Sequence, residues 1–93
     1  MPDYDYQLDL ILRALGDRTR RKLLVTISRE PGLTTAELVR RTPGMSRWGV
    51  MKHLAVLERA GLIQSMPEGR NIRHFSEPNG LGPLRNWITT SSS

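Results

Sequence analysis

The stretch from Met45 to Gly61, MSRWGVMKHLAVLERAG, leaves this chain fewer folding choices than any other part of it. It opens on Ser46, whose hydroxyl can accept from the free N–H groups of a first helical turn. It closes on Gly61, which tolerates the left-handed backbone that helix ends often need. Between these signals Val50, His53, Leu54 and Leu57 recur at helical spacing and make one inward stripe. At about 100° per residue, Trp48, Lys52, Ala55 and Arg59 fall on the opposite side, with Arg47 and Met51 on its flank. One side of this helix is core. The other joins cations, an indole, a thioether and a small residue, a combination suited to the major groove of DNA.

Three shorter helices precede it. Leu8, Ile11, Leu12 and Leu15 form a stripe over Tyr6 to Leu15, which Gly16 ends. Asp17 can cap a second helix, Arg18 to Arg29, with Leu23, Leu24 and Ile27 inward and Pro31-Gly32 as its break. Thr34 and Glu37 have capping-box spacing, and Leu33 with Leu38 can staple the start of a third helix running from Thr35 to about Arg41. Thr42-Pro43-Gly44 stops that helix just before Ser46. Two helices joined by a tight glycine-containing turn, the second longer and polar outside, make a helix-turn-helix. After Gly61 the period changes to two. Residues 62–66 and 71–75 read as strands flanking Glu68-Gly69-Arg70, and Pro67 is tolerated because a two-stranded ribbon is all edge. Glu77 to Gly82 is a connection, Pro83 suits a first helical turn, and Leu84, Trp87 and Ile88 form a last apolar stripe. The expected fold is therefore mainly α (α+β): a winged helix-turn-helix of about five helices with a two-stranded β-hairpin wing. It occupies one domain over residues 1–89, with residues 90–93 as a disordered tail.

Composition narrows the function. Ninety-three residues hold too little chain for a second core. The absence of cysteine excludes disulfides and thiolate metal sites and suits a reducing cytosol. The start MPDYDYQ lacks a signal pattern and no apolar run approaches membrane length, so a soluble cytoplasmic protein is expected, with no membrane partner. The net charge of +5 is uneven: residues 1–17 carry −3 and residues 18–76 carry +8. A basic middle behind an acidic head is either a solvated surface or a nucleic-acid footprint, and the order of elements favours the footprint. No Ser/His/Asp or Cys/His set, glycine-rich phosphate loop or paired carboxylates suggest an enzyme or a cofactor.

The candidate DNA contacts are Ser46, Arg47, Trp48, Met51 and Lys52 on the long helix, Arg70 and Arg73 on the hairpin, and Arg21 and Arg41 as phosphate anchors beside Arg18, Arg20 and Arg40. Each arginine has solvation as its plain alternative. Trp48 can meet a thymine methyl, lie along the sugar-phosphate wall, or fold back onto the wing. Gly49 costs about 1 kcal/mol inside a helix but permits close backbone approach. His53, on the inward stripe, reads as a core histidine rather than a ligand, and His74 as strand packing or surface. Leu8, Ile11, Leu12, Leu84, Trp87 and Ile88 are either internal core or a twofold dimer surface; the peripheral place of terminal helices and the size of Trp87 favour the dimer.

In this order and spacing, ALGDRTRRKLL (14–24), LTTAELVRR (33–41), MSRWGVMKHLAVLERAGLI (45–63), EGR (68–70) and NWI (86–88) make the chain resemble the ArsR-type winged-helix family of bacterial transcription regulators. The resemblance implies a homodimer built from the first and last helices, a recognition helix from Ser46 to Ala60 in the major groove, and a wing at Glu68–Asn71. Many members of that family sense metals through cysteines or through His and carboxylate ligands on the last helix. This chain has no cysteine, and Leu84-Arg85-Asn86-Trp87-Ile88 offers neither ligand type. It is similar instead to members with no metal site. The expectation is a sequence-specific double-stranded-DNA-binding regulator, a repressor, acting as a homodimer on an inverted-repeat operator in the bacterial cytoplasm, associated with the nucleoid. A small-molecule or protein effector is left open. The alternative is a winged-helix protein-interaction or RNA-associated module.

Overall fold

A computed structural model describes residues 4–91. The elements run α1 (Tyr4–Leu15), α2 (Arg18–Arg29), β1 (Leu33–Thr34), α3 (Thr35–Arg40), α4 (Arg47–Arg59), β2 (Ile63–Glu68), β3 (Asn71–Ser76) and α5 (Gly82–Ser91). Each interior helix begins on a side chain that satisfies orphan backbone donors. Asp17 accepts from the Arg20 N–H at 3.0 Å and Ser46 from the Gly49 N–H at 3.0 Å. At α3 the capping box closes in both directions: Glu37 N–H donates to Thr34 Oγ1 at 3.2 Å, and Thr34 N–H donates to Glu37 Oε1 at 2.9 Å. α4 ends in a Schellman motif. Gly61, at φ +76°, lets its own N–H reach Glu58 O while the Leu62 N–H reaches Leu57 O, both at 3.0 Å.

The sheet has three strands in the order β1-β3-β2, all antiparallel. β1 is an addition to the expected two-stranded ribbon: Leu33 pairs with His74 and Thr34 with Arg73. Two residues have no readable period, so the sequence shows them only as the lead-in to a cap. The hairpin strands reach further than expected, because a two-residue Gly69-Arg70 turn lets Glu68 pair with Asn71. Gly69 alone takes positive φ there (+61°), the type II′ pattern that matches strand twist. Pro67 sits in β2, an edge strand, where its missing N–H costs no ladder bond.

Ile11, Ala14, Leu23, Ile27, Leu38, Val50, Leu54 and Leu57 form the core, closed by Leu33, Leu62 and Ile63 from the sheet side. Ile11, expected on the dimer surface, is instead fully buried within its own protomer, because α1 turns it between α2 and α4 rather than outward. Arg20, a candidate phosphate anchor, is also spent internally. Its Nε and Nη2 each donate at 2.9 Å to the carbonyls of Ala14 and Arg13 that end α1, and its Nη1 donates to His53 Nδ1 at 3.2 Å. Gln7 Nε2 donates to Ala60 O at 2.7 Å and ties α1 to the end of α4. α5 runs two residues into the stretch expected to be a disordered tail, through Thr90 and Ser91, since nothing after Pro83 breaks a helix; residues 92 and 93 lie outside the described range. No helix among the described residues is long and apolar enough to cross a membrane.

Candidate nucleic-acid interface

The outward side of α4 is assembled by its own cap. Gly44 turns the chain at φ +86°, Ser46 fixes the first helical turn, and Met45 folds its side chain over Gly49, where a Cβ would stand 2.9 Å from Met45 Cγ. Gly49 thus makes room for the turn beneath the helix. From that start Arg47, Trp48, Met51, Lys52 and Ala55 are all exposed. Trp48 is 69% exposed and does not fold onto the wing. Instead Lys52, one turn later, holds its Nζ 4.4 Å from the indole centroid, a cation–π pair. The last member of this side, Arg59, is drawn away by a 2.9 Å bond to the Tyr6 hydroxyl on α1.

The wing stands across a groove from this surface. Arg47 and Met51 line one wall of a small cleft and Arg70, Asn71 and Ile72 the other. The helix start and the hairpin tip therefore bring Arg47 and Arg70 to one opening, which Thr35 and Ala36 also line. Ser46 has its hydroxyl committed to the cap and contributes by orienting the helix. Arg73 is placed differently from Arg70. Its Nη1 donates to Gly32 O at 2.8 Å and its Nε lies 3.1 Å from Glu68 Oε2, so it holds the hairpin's base to the end of the α2–β1 loop.

Arg21 and Arg41 are not gathered with this group. With Lys22 they line a separate groove along α2. Arg21 Nη1 donates to Leu15 O at 2.7 Å. Arg41 forms a two-pronged ion pair with Glu30, which raises the guanidinium's pKa further and lowers that of the carboxyl. The physical reason is common to both. A guanidinium fork finds helix-end carbonyls and carboxylates within reach, and sequence shows the charge without showing the partner.

The two histidines are both inside. His53 is partly buried and accepts from Arg20. His74 is 3% exposed, and burial pushes its pKa below the ordinary 6.5. Among the described residues no group of three or more His, Cys, Asp or Glu could hold a metal ion.

A second exposed surface is apolar. Leu12 on α1 and Trp87 and Ile88 on α5 are each about half exposed, while Leu8 and Leu84 are half-buried. Leu81, also exposed, lines one groove with Leu84 and Ile88 and extends the same surface. Leu81 falls in what reads as a loop and so was not among the residues expected there.

Comparison with known proteins places this geometry among others. A family model described as a helix-turn-helix domain matches residues 15–65. The HTH-type transcriptional regulator YuzN of Bacillus subtilis is 37% identical over 86 residues, covering 86% of this chain and 94% of its own. The HTH-type transcriptional regulator Rv2034 of Mycobacterium tuberculosis is 38% identical over 77 residues, covering 83% and 70%. The crystal structure of an ArsR family transcriptional regulator matches with a TM-score of 0.86 at 32% identity, over 99% of this chain and 93% of the other.

Proposed function

The chain belongs to the ArsR-type winged helix-turn-helix family of DNA-binding transcriptional regulators, and on that premise we propose that it acts as a homodimeric repressor reading an inverted-repeat operator with α4. Membership in that family makes it a regulator and not an enzyme. The observation that carries the finer reading is the Trp48–Lys52 pair, exposed in the first half of α4 on the side facing away from the core. Lys52 can donate to a guanine edge and Trp48 can pack against a thymine methyl. Arg47 and Arg70, on either side of one cleft, can grip the phosphate backbone beside the helix.

The apolar surface of α1 and α5 supports the dimer. Half-exposed Leu12, Trp87 and Ile88 form the kind of patch that a twofold partner covers. Two copies of α4 then face successive major grooves, with half-sites about one or two helical turns apart. Such a repressor works where the chromosome is, in the bacterial cytoplasm on the nucleoid.

The test is a fluorescence-anisotropy titration of an operator duplex. Lys52→Ala is expected to cost about 1–3 kcal/mol and to relax base preference at one position, while Arg70→Ala weakens all duplexes alike and lowers the salt slope by about one. Unchanged affinity in both variants would overturn the assignment of α4 and the wing.

A further inference from the structure

His74 is the only titratable residue among the buried polar side chains of the described residues. It stands at the centre of the sheet, paired with Leu33 on one side and Ser65 on the other, under the groove that separates α4 from the wing. Its Nε2 lies 2.8 Å from Thr35 Oγ1, at the first residue of α3. Its Nδ1 lies 2.9 Å from Ser65 Oγ on β2. The Ser65 hydroxyl in turn donates to Glu58 Oε2 at 3.1 Å, in the last turn of α4.

The proton inventory gives this chain one direction. Ser65 has one hydroxyl proton and the Glu58 carboxylate can only accept it. The contact between Ser65 Oγ and the imidazole therefore requires Nδ1 to carry a hydrogen. A neutral ring then has Nε2 as acceptor, and the Thr35 hydroxyl donates to it. Thr35, His74, Ser65 and Glu58 thus form one polarised chain that joins the start of α3, the wing and α4.

We propose that His74 is a positioning residue for DNA recognition: neutral and protonated on Nδ1, it locks the wing to both helices of the helix-turn-helix and so sets the spacing between Arg70 and the groove-facing side chains of α4. The consequence for DNA rests on the function proposed above; the hydrogen-bond geometry does not. A second proton would turn Nε2 into a donor, and the Thr35 hydroxyl would lose its acceptor. Desolvation opposes that proton, and Glu58 is the charged group that favours it. The other charges nearby are engaged elsewhere: Glu37 of α3 with Thr34, and Glu68 of β2 with Arg73 of β3. α2, which also packs on β3, contributes no charge that acts on the ring.

The first measurement is the ring nitrogen spectrum of the free, 15N-labelled protein near neutral pH, where a hydrogen on Nδ1 and a bare Nε2 are expected for His74. The second compares Ser65→Ala with Ser65→Thr. The alanine variant breaks the chain at its middle joint and is expected to lose about tenfold in operator affinity, at the lower end of coupling between two parts of one molecule. It should keep its helical circular dichroism and lose the part of the pH dependence that the wild type shows below about pH 6.5. The threonine variant restores the hydroxyl and should recover both. A hydrogen on Nε2 instead of Nδ1, or an alanine variant with wild-type affinity and pH profile, overturns the proposal. Should Ser65→Ala not fold, the nitrogen spectrum and the threonine variant still decide. A wild-type protein that discriminates among no duplexes defeats the DNA reading itself, and does so without touching the tautomer result.

Discussion

Trp48 keeps its indole in water under the Lys52 ammonium. An exposed pair of this kind contributes only about 0.5–1 kcal/mol to the fold. Stability therefore does not account for the residue, and Trp48→Ala separates stability from the recognition role proposed above. Urea melts should place the variant within about 0.5–1 kcal/mol of wild type, while operator affinity falls about tenfold. His74 makes the opposite case. Burial holds its pKa below 6.5, so the unfolded chain takes up a proton before the folded chain does. Stability from this group is complete above pH 6.5, declines as the pH falls below that value, and levels off once the folded ring protonates. Asp17, held low first by the Arg20 N–H, and Glu37, held low first by the Thr34 N–H, act in a more acidic window. Their contribution is present above the ordinary 3.8 and 4.5 and is lost as the pH falls through their lowered values. Melts between about pH 7.5 and 5.5 stay clear of the carboxylates, and His74→Phe is expected to reduce the slope there.

The helices whose ends are marked by chemistry were legible: Ser46 and Gly61 bound α4, and Thr34 with Glu37 opens α3. Gly61→Ala tests the α4 boundary. Forcing a Cβ into a φ of +76°, where it would also lie 3.3 Å from Gln7 Nε2, should destabilise the fold by about 1–2 kcal/mol in urea melts. What was not legible depends on partners remote in sequence. β1 exists because Leu33 and Thr34 meet His74 and Arg73 some forty residues away. Arg21, Arg41 and Arg73 read as free cations and are met by a helix-end carbonyl, by Glu30, and by Glu68 with Gly32. The α4 surface was legible because periodicity alone decides which side of a capped helix is outward; Ile11 was misread because its apolar stripe is wide enough to serve either the core or a partner.

The molecule is extended, 45 × 27 × 24 Å. Its radius of gyration of 14.0 Å exceeds the roughly 12 Å of a compact domain of this length. Few residues of α5 pack inward, and Trp87 is left 51% exposed. In the dimer proposed above, a second copy covers α1 and α5 and turns that exposure into an interface. Trp87→Glu is therefore expected to convert the dimer to a monomer in sedimentation equilibrium and to abolish high-affinity operator binding while α4 stays folded. The several basic contacts proposed for each protomer predict a loss of about 10³-fold in affinity between about 50 and 200 mM salt. The most direct measurement is selection of bound sites from a random duplex library by the wild-type protein. The account predicts an enriched inverted repeat whose half-sites are centred about 10 or 20 base pairs apart. Enrichment of no motif, or of a single site without twofold symmetry, would contradict it.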